Sequence, residues 1–510
     1  MFIGPDVWRG KENPLFEEDA SLLKSWKDTA ASENLYVRIG RWNVPGRPVA
    51  VLVDFQPYFA MKNDIYTRLW EDYGVDSLHA YGDYDEASMF SYAAGLVVES
   101  YYNHVLKGQC EHVVYQAHEW MTGLGALYIQ KHVPEVATIF TTHATTIGRS
   151  IAGNHKPLYE YLFAYNGNQM AQELNVQSKH SIERETAHHV DCFTTVSEVT
   201  NRECAELLDK PADVVLMNGF EKDFVPSKAL FARKRREARR KLREVAGALL
   251  GTEFDDDVMI ISTSGRYEFR NKGIDLYMEA MNRSLRNKDL TRKILAFVQV
   301  PGWVCCPRED LKERLDSGKA CDTPLQWPLL THWLHEMSHD QVIDYMKRYN
   351  MWNQPEDKVK VIFVPCYLDG ADGIFNMHYY DLLIGMDLTV YASYYEPWGY
   401  TPLESVAFHV PCVTTNLSGF GLWVNQLLGK EGELADGVQV VRRTDYNSSE
   451  VADAIKDAIT AYSAFTPHEV ENIRHKAADI SEHALWKHFI QYYYQAYDFA
   501  LHKAKQRRGR

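Results

Sequence analysis

With 510 residues, 45% of them hydrophobic, the chain carries enough apolar material for two or three domains and too much for one small one. Acidic residues outnumber basic ones by 69 to 55, and the net charge of -14 excludes a global basic field of the kind that holds a nucleic-acid backbone or an anionic membrane. The 8 cysteines form no CxxC pair, which excludes zinc-site and disulfide-scaffold spacing and points to reduced thiols.

The N-terminus has no charged flank followed by an apolar signal core, and no apolar run of about 18 residues occurs, so an intracellular, cytoplasmic protein is expected. Short apolar runs recur at 49–55, 112–115, 137–141, 192–196, 214–217, 258–262, 294–300, 359–365, 388–392, 410–414 and 438–441. Between most of them lie segments with helical spacing, such as 86–106 and 277–285. Strands alternating with helices imply parallel sheets of the βαβ kind, and this many strands exceed one comfortable doubly wound sheet. The fold class is read as α/β with two domains, 1–217 and 218–478, and a C-terminal helix in 479–510 crossing back to the first.

Two segments break the alternation. Residues 231–250, FARKRREARRKLREVAGALL, read as a solvated basic surface helix with Leu242 and Val245 as its apolar positions; an anion-binding face is the other reading. Residues 304–355, charged and rich in tryptophan, read as a helical insertion and a candidate surface for a homo-oligomer. The closing KAKQRRGR reads as a frayed basic tail.

Three strand ends carry candidate chemistry, because ligands of open α/β folds bind beyond the carboxyl ends of parallel strands. The stretch ASYYEPWGYTPLES, residues 392–405, ends a strand on Glu396, turns through Trp398 and Gly399, both candidates for touching the bound ligand, and starts a helix carrying Glu404. With Thr401 as N-cap and Pro402 in the first turn, backbone N–H groups of Gly399, Tyr400 and Thr401 form an anion site suited to phosphate. The same residues match a capping box, so Glu404 is either a ligand contact or part of a cap. GRYEFRNKG, residues 265–273, places Arg266 at a strand end and Lys272 at the next helix, a fork and a point charge for one diphosphate, or else a pair of surface salt bridges. THATTIGR, residues 142–149, sets His143 and Arg149 after a third strand, and His118 and Glu119 end the strand before it, where they are candidates for touching a sugar on the acceptor side. Neither histidine lies in an HExxH helix, so no metal is expected.

Together THATTIGR, GRYEFRNKG and SYYEPWGYTPLE with NLSGFG, supported by HEWMTGLG and FTTVSEVT, resemble the glycogen synthases of the animal and fungal type, which are retaining GT-B glycosyltransferases. The resemblance spans nearly the whole chain. It implies two Rossmann-like domains with parallel sheets facing across a cleft, UDP-glucose held mainly by the C-terminal one, a glycogen or α-1,4-glucan acceptor, and no metal or other cofactor. By motif, Glu396 and Glu404 match the family's E-x7-E pair, Arg266 and Lys272 its diphosphate cations, Arg149 a further phosphate ligand, and His143 the histidine near the donor glucose. Tyr379, in NMHYYDLLIG, resembles the aromatic that stacks on uracil, a contact of roughly 1 to 3 kcal/mol on nucleic-acid precedents, or it is a core tyrosine.

Two departures from the family pattern stand out. The chain begins at MFIGPDVW, which resembles the family's second strand, so a first βα unit with its Lys-x-Gly-Gly loop is expected to be missing, with a less stable N-terminal sheet and activity in question. The stretch PHEVENIRHKAADISEHALWKHF offers only Arg474, Lys476 and Lys487 where the family carries an arginine-dense helix, so no activation by glucose 6-phosphate is expected. Competing readings are an inactive glucan-binding scaffold and a two-carboxylate hydrolase; the latter needs carboxyls roughly 5 to 9.5 Å apart and has no use for clustered cations.

Overall fold

Four strands open the chain: β1 (Phe2–Pro5), β2 (Phe16–Glu18), β3 (Val37–Trp42) and β4 (Val49–Val53) pair in the order β1-β4-β3-β2. β1 runs parallel to β4, but β4 with β3 and β3 with β2 are antiparallel. The expectation of parallel sheets throughout fails here, because the connection 43–48 is shorter than the dozen or so residues a parallel crossover needs. In this computed structural model, which describes residues 1–8 and 11–509, a second four-stranded sheet joins β5 (Val114–His118), β6 (Ala137–Thr142), β7 (Cys192–Thr195) and β8 (Val214–Val215), all parallel and in chain order.

Against this second sheet lies the last helix, Trp486–Arg508. Ala496, Ala500 and Ala504 present its small side chains to Ala137, Ile139, Cys192 and Leu216. Arg507 closes the contact, its Nη2 donating to Asp191 Oδ2 at 2.8 Å and its Nη1 to the Gln130 carbonyl at 2.8 Å. The tail expected to fray is therefore helical through Arg508, and Arg510 lies outside the described residues. Contacts divide the chain into two compact units, Met1–Met217 with Ile490–Arg510, and Asn218–Phe489.

The second unit holds the long apolar runs. β9 (Met259–Ser264), β10 (Ile294–Gln299), β13 (Val359–Val364), β14 (Leu388–Val390), β15 (Cys412–Thr415) and β16 (Val438–Val441) form one parallel sheet in the order β13-β10-β9-β14-β15-β16. Taken as strands one to six, this is the 3-2-1-4-5-6 order of a doubly wound nucleotide-binding sheet, whose direction of winding switches between its first and fourth strands. Both faces are covered: Ile294, Ala296 and Val298 point into one core and Leu295 and Phe297 into the other. That two-sided burial is why these strands read as unbroken apolar runs.

The insertion after β10 is mixed rather than helical. β11 (Val304–Pro307) and β12 (His332–Leu334) form an antiparallel pair beside the helices Glu309–Ser317 and Gln341–Arg348. Arg308, fully buried, organises the turn: its guanidinium donates to the carbonyls of Trp327 at 2.6 Å and Gln326 at 2.7 Å, to Asp310 at 2.7 Å, and lies 4.4 Å from the Trp333 ring centre. Trp327, Trp333 and Trp352 pack on the sheet core, so these tryptophans do not form an exposed stripe.

The basic helix runs from Lys228 to Leu250 and is less solvated than its composition suggests. Ala238, Leu242, Val245, Ala246, Leu249 and Leu250 are buried, and two of its arginines turn inward. Arg235 Nη2 and Arg239 Nη1 each donate to Asp387 at 2.7 Å, and Asp387 Oδ2 also accepts the Ile260 N–H at 2.8 Å. Burial alone would raise this carboxyl, yet Arg239 and Arg235 hold it below the usual carboxylate range. Arg474 stands nearby, donating to the Met386 carbonyl at 3.3 Å, and burial followed by Arg235 brings it down to about 9. Among the described residues no helix is long and apolar enough to cross a membrane.

Candidate active site

The switch point of the second unit's sheet lies between β9 and β14, and the two candidate motifs of that unit leave these two strands. After β9 the chain turns at Gly265 and ends its loop at Gly273, which has φ +70°. A Cβ on Gly273 would sit 1.9 Å from the Ala392 carbonyl oxygen, so glycine is required by both conformation and contact. This approach lets the Asn271 carbonyl accept the N–H groups of Tyr394 at 2.9 Å and Tyr395 at 3.1 Å. The consequence is that Lys272 Nζ donates to Glu396 Oε2 at 2.6 Å, with side chains only 11% and 15% exposed. The Glu396 carbonyl in turn accepts the Gly419 N–H at 3.1 Å, bringing the start of the helix Gly419–Leu428 beside it. Two residues 124 positions apart are thereby joined at the carboxyl ends of neighbouring strands.

Arg266 does not join this pair. Its Nη2 lies 3.1 Å from Glu268 Oε1 and its side chain is 62% exposed. The expected convergence of two cations is thus met by Lys272 alone among the cations of that loop that were singled out, because Glu268 draws the guanidinium along its own loop.

The helix after Glu396 spans Tyr400–Ala407 and starts from Gly399 at φ +113°, with no side-chain cap. Thr401 lies inside the first turn, so it is not the N-cap and no capping box forms: the left-handed glycine takes the cap position one turn corner earlier. By helix geometry the first N–H groups have no intrahelical partner. Glu404 accepts the Tyr380 hydroxyl at 2.8 Å, and the Tyr380 ring stacks on Phe408 with centroids 5.4 Å apart. Trp398, expected at the ligand, is instead buried in an aromatic cluster with Phe420, Trp423 and Phe489 at centroid distances of 6.3, 6.2 and 5.9 Å. Its apolar ring is used to fix the turn from behind. Tyr379 begins the helix Tyr379–Leu383 and its hydroxyl is 2.7 Å from Ser264 Oγ at the end of β9. Burial raises its phenol well above the usual value. Tyr380 and Asn271 were not singled out from the sequence, although Tyr380 stands beside Tyr379 and Asn271 lies within GRYEFRNKG.

Burial pushes the Glu404 carboxyl up, and the Tyr380 hydroxyl offsets only part of this. The folded chain therefore holds this proton more tightly than the unfolded one, so the contribution of Glu404 to stability is present below its ordinary 4.5 and is lost as pH rises through the raised value. Glu404→Gln is expected to leave the melting temperature at pH 7 unchanged or raised, since it removes a buried charge and no cap. A clear fall on thermal melting would reinstate the capping role.

The first unit holds its own constellation at the ends of β5 and β6. His118 Nδ1 is 3.0 Å from His143 Nε2. Glu119 stands at φ +66°, a strained value for a residue with a side chain, and its carboxylate accepts the His143 N–H at 2.8 Å. Glu119 thus supports the loop 142–149 through one of its carboxylate oxygens. Two further carboxylates, missed in the sequence because they sit on distant helices, hold the same loop. Glu183 Oε2 accepts the Thr146 N–H at 2.8 Å, and Glu203 Oε2 accepts the Thr145 hydroxyl at 2.9 Å. Burial, with the Glu119 carboxylate adding to it, pushes Glu183 up to about 7. Arg149 is exposed on the helix Thr146–Gly153, whose N-cap Thr145 accepts the Gly148 N–H at 3.0 Å.

Burial, then His118 and Arg149, lower His143 to about 4. Above the ordinary 6.5 both folded and unfolded chains keep this ring neutral; as pH falls from 6.5 to about 4 only the unfolded chain takes the proton, so stability is lost across that window. His143→Gln is expected to flatten the acid limb of a melting-temperature profile between these limits by on the order of 1 to 3 kcal/mol. Superimposable profiles for the two proteins would show that His143 is not held neutral.

One group has the composition of a metal site: His332, Cys366 and Asp372 bring their ligand atoms within 4.8 Å of one another. The ring nitrogens of His332 and the carboxylate of Asp372 are committed elsewhere. His332 has Nε2 at 2.9 Å from the Asp372 carbonyl and Nδ1 at 2.8 Å from Thr331 Oγ1, while the Asp372 carboxylate takes the N–H groups of Ile374, Phe375 and Asn376. The cluster shapes a turn.

A parallel sheet in this order is of the doubly wound nucleotide-binding kind, and the solved structures that the whole chain resembles in fold are glycosyltransferases of the GT-B class. The catalytic domain of Starch Synthase IV from Arabidopsis thaliana, solved bound to ADP and acarbose, matches the fold with a TM-score of 0.52 over 92% of this chain and 85% of that one, at 13% identity. The chain belongs to the glycogen synthase family, whose model matches residues 6–306 and 309–508. The glycogen [starch] synthase of Neurospora crassa is 26% identical over 538 residues, covering 94% of this chain and 76% of that protein. The liver glycogen [starch] synthase of Rattus norvegicus is 26% identical over 529 residues, covering 94% and 74%.

Proposed function

We infer that this chain transfers glucose from UDP-glucose to the non-reducing 4-hydroxyl of an α-1,4-glucan, with retention of configuration, as a cytoplasmic glycogen synthase. The observation that carries the reading is the Lys272–Glu396 pair at the switch point between β9 and β14. As the glycosidic bond breaks, negative charge develops on the leaving diphosphate. Lys272 and the helix start at Gly399 to Thr401 stabilise it, with Arg266 and Arg149 as further cations in the roles the family resemblance gives them. Glu396, released from Lys272 when phosphate competes for the ammonium, positions the donor sugar and stabilises its positive character. The leaving phosphate accepts the proton of the incoming hydroxyl. Glu404 binds ribose hydroxyls and Tyr379 stacks on the base, while the role of His143 near the donor glucose is the one the family resemblance gives it.

The test is UDP release on mixing the protein with UDP-glucose and glycogen, paired with lengthening of the glucan. Release with free glucose as the only sugar product would make it a hydrolase, and no release would overturn the reading. ADP-glucose in the same assay reports the choice of base. Because fixed cations and helix N–H groups do the work of a metal, a strong chelator is expected to leave the initial rate unchanged; a rate abolished by chelation and restored by a divalent ion would show that charge is neutralised differently.

A further inference from the structure

Cys305 and Cys306 are consecutive, both exposed, and lie in β11 just beyond the carboxyl end of β10. In a regular strand neighbouring side chains point to opposite faces, which would hold two adjacent thiols apart. Here the pairing with β12 shifts register between Val304, opposite Leu334, and Cys306, opposite Trp333. The bulge leaves Cys305 as the extra residue opposite the Leu334–Trp333 step, which breaks the alternation that would hold the two thiols on opposite faces. Four other cysteines, Cys192, Cys204, Cys366 and Cys412, are buried, and Cys110 is exposed.

We propose that Cys305 and Cys306 form a two-electron modification site that reacts with low-molecular-weight disulfides and closes to a vicinal disulfide. The Cys305 thiolate attacks one sulfur of the small disulfide, forming a mixed disulfide and expelling one thiolate. Cys306, losing its proton to solvent, then attacks the Cys305 sulfur and expels the second. Two protein thiols are oxidised, one small disulfide is reduced to two thiols, and the electrons balance. Neighbouring Cα atoms stand only about 3.8 Å apart, below the roughly 4.4 to 6.8 Å that a disulfide prefers. The closed ring is therefore strained, readily reduced and reversible, and it pulls Cys306 off its partner Trp333 in β12.

The experiment treats the full chain with oxidised glutathione at neutral pH, alkylates the remaining thiols and maps peptide masses. The expected result is a Cys305–Cys306 peptide lighter by two hydrogens, neither alkylated nor carrying glutathione, restored by a dithiol reductant, while Cys110 keeps glutathione as a stable mixed disulfide. Cys306→Ser, an exposed and small change, is expected to stop the reaction at glutathione on Cys305. Amide protection across 304–307 and 332–334 is expected to fall on oxidation. Glutathione retained on Cys305 or Cys306 of the unaltered chain, or a pair that reacts no faster than Cys110, would overturn the site; unchanged protection would overturn the loss of strand pairing.

Discussion

Lys272→Ala is expected to lower turnover by about 100- to 1000-fold, the usual loss when one preorganised group facing developing charge is removed, while affinity for glycogen stays the same. The ammonium is held 2.6 Å from Glu396 in a pocket where both side chains are nearly sequestered from water, so its charge acts through a medium less screening than bulk solvent. Alanine removes that charge and leaves the carboxylate of Glu396 without its cation. Lys272→Arg keeps the charge in a wider planar head and is expected to recover only part of the rate. Initial rates of UDP release at saturating donor, with glycogen co-sedimentation as the binding control, give the answer. Unchanged turnover would take Lys272 out of the chemistry, and a parallel loss of glycogen binding would make it a structural residue.

The largest effect on stability is expected at Asp387. This carboxylate is buried between Arg235 and Arg239 and also fixes the Ile260 N–H at the start of β9. Asp387→Asn keeps the shape but leaves two guanidinium groups without an anion, a change of the kind that costs about 3 to 5 kcal/mol. For a unit of this size that corresponds to a melting temperature lower by on the order of 10 °C. Differential scanning calorimetry at neutral pH is the measurement, and a shift of a degree or less would show that the ion pairs are offset by their own desolvation. Because Asp387 immediately precedes β14, the strand that leads to Glu396, a stable but inactive Asp387→Asn protein would place its role in positioning the strand.

The parts legible in the sequence share one physical property. Met259–Ser264, Ile294–Gln299 and Val359–Val364 are covered on both faces, so burial alone dictates their composition and they announce themselves as apolar runs. Val37–Trp42 escaped notice because it is not an unbroken apolar run: Arg38 and Arg41 stand within it, Arg38 reaching Glu18 on the neighbouring strand at 2.9 Å. The short β11 and β12 are defined by pairing to each other rather than by composition. At the candidate site, strand-end position pointed to Lys272 and Glu396 without giving their direct contact, which depends on the approach of Gly273 to Ala392. Trp398 was misread because an aromatic within a motif looks the same whether it faces a ligand or a core. The cap at Thr401 was misread because a left-handed glycine just before it displaces the hydroxyl from its usual task. Asp387 and its two arginines lie some 150 positions apart, and single-sequence reasoning has no ruler for such distances.

The partition of the chain has a practical corollary. Asn218–Phe489 is one uninterrupted stretch, so it can be encoded as a single expression product, whereas the other half is assembled from both extremities of the polypeptide. On the ribosome that half must wait: until Ala496, Ala500 and Ala504 emerge, the faces of Ala137, Ile139 and Cys192 that they cover have nothing of their own to shield them, and chaperone capture or premature association is the hazard of that interval.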